Sequence, residues 1–108
     1  MNIYHTDLVS RWSNFSIFEQ MANIGAEVGR TMTWRKKGNN KMSKDAFYRA
    51  LELIDFTVGD SKNKNSLKEI LRMREILVDY FVGNNIYKSN DSAWNKYFLY
   101  FNVAARRR

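Results

Sequence analysis

An arginine in the middle of an apolar helical stripe is the first position where this sequence invites chemistry. Arg74 follows Ile70 by four residues and precedes Leu77 by three, so helical periodicity turns it inward or toward a groove. A buried guanidinium demands partners, because an unpaired buried charge costs several kcal/mol. Glu27, Glu52, Asp55 and Asp79 are the available carboxylates, and with Arg30 and Arg74 they make up the expected interior polar cluster. An internal ion-pair network is the plainest use of such a cluster. A polar pocket for a ligand or a phosphate is the alternative, and catalysis comes last, since no spacing here fixes two carboxylates at the separation that general acid–base chemistry requires.

Other chemistry is narrowed by composition. The chain has no cysteine, which removes thiolate catalysis, a disulfide framework and cysteine-ligated metals. Its one histidine, His5, lies close enough to Arg11 to resemble the arginine–histidine spacing of helical ribonucleases, but both residues precede the expected bundle. A lone histidine makes no metal site. Gly25 and Gly29 lack the Lys-Ser flank and the strand context of a phosphate loop. With Ala22 and Ala26 they form a small-residue strip whose ordinary role is close helix packing and whose alternative role is room for a ligand or a second subunit. No cofactor and no metal is expected.

Charge is the second signal. Eighteen basic against 11 acidic residues give a formal +7, which favours polyanions or acidic partners. Arg35, Lys36, Lys37, Lys41 and Lys44 crowd the first loop, and Lys62, Lys64 and Lys68 surround the second. In an up-down arrangement the C-terminal Arg106, Arg107 and Arg108 return to that second end. Solvated loop charge is the ordinary reading of these residues. The functional one is contact with phosphates, with Trp34, Trp12 or Tyr87 available to stack on bases.

The elements that must position these residues are helical. There is no proline, glycine occurs five times, and the apolar and aromatic shares are 44% and 15%, which rules against disorder and leaves long helices uninterrupted. A short opening helix is predicted from Asp7 to about Trp12. Ser16-Ile17-Phe18-Glu19 is a capping box, opening a long helix with Ile17, Met21, Ile24, Val28 and Met32 on one face and Gly38 as its left-handed end. Ser43 is predicted to cap a second helix, with Phe47, Ala50, Leu51, Ile54 and Val58 inward. A second capping box, Ser66-Leu67-Lys68-Glu69, starts a third with Leu67, Ile70, Leu71, Leu77, Val78 and Phe81, ending at Gly83. Asp91 is predicted to cap a fourth that carries Trp94, Tyr97, Phe98, Phe101 and Ala105 inward. The expected fold is all-α, a single domain over 1–108 forming an antiparallel bundle of four main helices with a short N-terminal helix. No signal peptide and no run of about 18 apolar residues is present, so a cytoplasmic protein without membrane contact is expected.

Four strings carry a resemblance. Asn23-Ile24-Gly25-Ala26-Glu27-Val28-Gly29-Arg30 with Trp34, Arg49-Ala50-Leu51-Glu52-Leu53, Arg72-Met73-Arg74-Glu75 with Asp79-Tyr80-Phe81, and Tyr97-Phe98 with Ala104-Ala105-Arg106 together resemble a family of small uncharacterised helical proteins of bacteria and archaea, over most of the chain. The likeness implies a helical fold and no assigned activity. More distantly, Asn23-Ile24 with Glu27 and Arg30 is similar to four-helix-bundle proteins of the ribosomal intervening-sequence and accessory variability determinant type, which are basic, oligomeric and associated with nucleic acid or reverse transcriptase. The insertion between Ile24 and Glu27 and the later helices depart from that pattern. The expectation carried forward is a non-enzymatic basic helical module that binds nucleic acid or an acidic protein. A self-associating interaction module, a homo-oligomer, is the alternative, and a small enzyme using the Arg74 cluster comes third.

Overall fold

The computed structural model describes residues 11–107, so the predicted opening helix from Asp7 falls almost wholly outside the described residues. Within them Trp12–Asn14 forms a 3-10 turn, followed by α1 (Ile17–Lys36), α2 (Asn40–Val58), a second 3-10 segment (Ser61–Ser66), α3 (Leu67–Phe81) and α4 (Asp91–Arg106). The fold is all-α, with the four helices packed together and no strand among the described residues. No helix of the described residues is long and apolar enough to cross a membrane.

The helix stripes meet in one core. Met21, Ile24, Val28 and Met32 of α1 are buried with Phe47, Ala50 and Ile54 of α2 and Trp94 and Phe98 of α4, as periodicity predicts. The inner face of α3 is rotated from the predicted stripe: Ile70, Met73 and Leu77 are buried, while Leu71 is 46% exposed. That rotation moves Arg74 off the core to the rim. The backbone of α1 runs close to both α2 and α4, whereas that of α3 approaches α2 and the second 3-10 segment more closely than α4.

The capping box at Ser16 is complete, with Ser16 and Glu19 each accepting from the other's backbone N–H. Lys37 ends α1, and Gly38 takes the left-handed φ of 76°, which suits a residue without Cβ. Three other predicted caps are corrected. Asn39, not Ser43, caps α2, accepting from Met42 N–H at 3.1 Å. Ser43 is buried one turn later and its hydroxyl donates to Thr31 O at 2.9 Å, bonding α2 to α1. Ser66 makes no cap bond, because the 3-10 segment runs directly into α3 and leaves Ser66 without the extended backbone a capping box needs. Asn90, not Asp91, caps α4, accepting from Ala93 N–H at 2.8 Å. Asp91 is thereby released for contacts elsewhere.

A polar network closes the core where the 3-10 elements meet. The Trp12 indole donates to Thr57 Oγ1 (3.1 Å), and Thr57 donates to Leu53 O (2.8 Å). The wholly buried Gln20 amide donates to Trp12 O and to Asp60 Oδ2, both at 2.9 Å. Asn63 donates to Gln20 Oε1 (2.8 Å) and to Thr57 O (3.0 Å). Buried polar groups cost about 1–3 kcal/mol each when a partner is removed, so this satisfied set locks the connection between α2 and α3 against α1. Desolvation opposes charge on Asp60, but bonds from the Lys62 ammonium, from Gln20 and from Lys62 N–H, with the charge of Lys62, together hold its carboxyl below the usual aspartate range. Unfolded Asp60 therefore takes up its proton first. Its contribution to stability is complete above about pH 4 and is lost as pH falls through the lowered folded-state value. Urea unfolding from about pH 6 to pH 2 should show this loss in the native protein, with a flatter acid limb in Asp60→Asn.

Candidate polyanion site

The interior cluster predicted around Arg74 is distributed over separate places. Arg74 Nε binds Asp55 Oδ1 at 3.1 Å, but the two side chains are 36% and 59% exposed, so the pair lies at the surface. Asp79 accepts from Ile86 N–H (3.0 Å) and Tyr87 N–H (3.1 Å), which shapes the loop before α4 through the left-handed Asn85 and Lys88. Glu52 is half-buried on α2. Glu27 is the buried acid, and its partners are Arg30 of its own helix and Arg49 of α2, each at 3.3 Å.

The predicted basic residues divide by what they already hold. Arg35 binds Asp91 Oδ1 at 3.1 Å and lies 4.8 Å from the ring centres of both Tyr80 and Phe81. Tyr80 donates to the same Asp91 oxygen at 2.6 Å; burial first, then that bond, pushes its hydroxyl above the ordinary tyrosine range. Arg35 is thus part of the scaffold. Lys62 binds Asp60 and donates to Ser13 O at 3.0 Å, and Lys41 pairs with Asp45 at 3.2 Å. Lys37 lies 5.2 Å from the Trp34 ring centre. Lys36, Lys44, Lys64, Lys68, Arg106 and Arg107 are exposed, with no ion pair among the described residues. Arg108, like His5, lies outside the described residues.

Several of these groups meet over the outer face of α1. A cleft of about 740 Å³ lies over Ala26, Gly29, Arg30 and Thr33, with Met42 and Arg49 of α2 on one flank and Asp91 and Asn95 of α4 on the other. Trp34 and Lys36 also line it. Arg30, Lys36 and Arg49 outnumber Asp91, which Arg35 already matches; Glu27 behind them offsets one of the two arginines it holds in place. The result is a concave, net positive surface with guanidinium forks suited to phosphate or carboxylate oxygens. Among the described residues no group of three His, Cys, Asp or Glu side chains is placed to hold a metal ion.

Sequence reasoning missed Arg49 and the Gln20 network. The signal used for Arg74 was present at both buried sites: Gln20 and Glu27 each follow an apolar stripe residue by three, Ile17 and Ile24. No protein-family model, no curated protein and no solved structure matches the chain, and its function is read from its own surface.

The two glycines of the small-residue strip have different roles. A Cβ at Gly25 would lie 2.7 Å from Phe98 Cβ, so α4 can approach only because that atom is missing. A Cβ at Gly29 would meet nothing within 4 Å. Glycine in a helix interior costs about 1 kcal/mol against alanine, and no packing contact at Gly29 offsets it. Gly29→Ala should therefore raise unfolding stability by about 0.5–1 kcal/mol, while Gly25→Ala should lower it by about 1–3 kcal/mol through overpacking. Urea denaturation of the two variants beside the native chain measures both.

Proposed function

We infer that the protein is a non-enzymatic helical module that binds single-stranded nucleic acid along the basic cleft over α1. The observation that carries this reading is the cleft itself, where Arg30, Lys36 and Arg49 border open space above Gly29 and Trp34 lines the same space. Guanidinium and ammonium groups neutralise phosphates, and an indole at the edge of such a groove offers a stacking surface that tolerates any base. Lys36, Lys37 and Lys44 around the α1–α2 turn extend the positive surface beyond the cleft. A second basic group is supported by the cavity that joins Ile17, Ser66 and Phe101: it draws the starts of α1 and α3 toward the later part of α4, near Lys64, Lys68, Arg106 and Arg107. Contacts between Thr31 and Ser43, Glu27 and Arg49, Phe47 and Phe81, and Phe18 and Phe101 support an antiparallel order for the bundle.

A second reading, self-association, is favoured by the exposure of Leu99, Tyr100 and Val103 on α4. A strict monomer by light scattering at high protein concentration removes it.

The nucleic-acid reading is tested by fluorescence anisotropy with a labelled oligo(dT) over a series of salt concentrations. Three cleft cations each meeting one phosphate give a log–log slope of about −2 for a single strand. Gly29→Leu fills the cleft without burying a charge and should weaken binding at least about fivefold while the unfolding midpoint is retained or raised. A flat salt response, or unchanged affinity in Gly29→Leu, rejects the reading. Tighter binding of polyglutamate than of oligo(dT) transfers the site to an acidic protein.

A further inference from the structure

We propose that the gap between α3 and α4 is a binding site for a small amphiphile with an apolar body and one carboxylate. The backbones of these helices approach less closely than those of α1 and α4, and a cavity of about 300 Å³ opens between them, at the small end of the roughly 300–1,000 Å³ range of ligand cavities. Met73 and Ile76 of α3 and Ala93 and Trp94 of α4 give it apolar walls. Glu69 and Tyr97 line it and also line a second cavity of about 260 Å³ that reaches Met21, Ile70 and Phe101, so the two spaces adjoin at these side chains.

The polar atoms select the head group. Trp94 is only 7% exposed, and its Nε1 is the buried side-chain polar atom among the described residues that lacks a hydrogen-bond partner. A buried donor without an acceptor is a costly exception in folded proteins, and here its ring forms the cavity wall. The Tyr97 hydroxyl makes no hydrogen bond to the described residues, and burial first, then the charge of Glu69, pushes its pKa up to about 12, so it too remains a donor at neutral pH. Arg72 lines the first cavity, its guanidinium 5.2 Å from the Tyr87 ring centre. Indole, phenol and guanidinium are all donors, and a carboxylate offers oxygens to them where an ammonium does not. The overall charge of +7 draws the same anion in. Glu69 is the single acid of the lining, and it is exposed.

The experiment is a titration with sodium octanoate followed in the indole region of the ¹H–¹⁵N spectrum, with octanol and octylammonium as matched probes. The chain has three tryptophans, and each reports a different place: Trp12 the folded polar network, Trp34 the basic cleft, Trp94 this cavity. Octanoate should shift the Trp94 indole saturably, and octylammonium should bind more weakly. Arg72→Gln should weaken octanoate about tenfold, the loss of one charge-assisted bond, and leave octanol unchanged. Ala93→Leu should abolish the response to both while the Trp12 signal stays in place, which separates a filled cavity from an unfolded chain. A Trp94 signal that does not move or does not saturate, tighter binding of octylammonium, or a shift confined to Trp34 overturns the proposal. None of these results depends on oligo(dT) binding.

Discussion

The seat of Phe98 on the bare backbone of Gly25 sets how the bundle is arranged. No side chain longer than hydrogen fits between them, so α1 and α4 come together closely at this point. The other flank of α1 is held by Ser43 bonding to Thr31 O and by Arg49 reaching Glu27. With α2 and α4 both drawn onto α1, the outer face of α1 becomes the bottom of a trough between two flanking helices. On the opposite side, the backbone of α3 comes closer to α2 than to α4, which it meets through Tyr80 and Asp91.

Charge follows the same geometry. Of the acids that sequence alone would gather in the interior, Asp55 pairs with Arg74 at the surface and Asp79 folds a loop; two acids outside that set act as fasteners, Asp60 joining α1 to the second 3-10 segment and Asp91 tying helix ends. Glu27 alone among the predicted cluster is buried, and it holds two arginines in fixed positions. Some of the lysines are spent on structure, as Lys62 is against Ser13 O. The excess positive charge left at liberty is therefore concentrated on fewer side chains than composition suggests.

Much of the scaffold was legible because apolar periodicity and end signals are local. The Ser16 capping box and Gly38 are contained within a few residues, and the structure has both as read. The α2 and α4 caps failed where two neighbouring polar residues compete for one role, Asn39 against Ser43 and Asn90 against Asp91. In each case the earlier residue takes the backbone amide and releases the later one for a tertiary bond. The stripe of α3 was misjudged by about one residue because leucines lie on more than one of its faces, and that small rotation carried Arg74 from the interior to the rim. The candidate site was less legible than the fold. It depends on where helices stop approaching each other, and on partners such as Glu27 and Arg49 that lie 22 residues apart. Neither leaves a trace in spacing.

Asp91 binds a guanidinium from the last turn of α1 and a phenol from the last turn of α3 while sitting in the first turn of α4. Helix ends usually fray one at a time, with little free energy separating open from closed. Here a single carboxylate is shared by three of them, so loosening any one end takes a partner from the other two. Amide protons near Lys36, Tyr80 and Ala93 are accordingly expected to exchange with solvent as one cooperative unit.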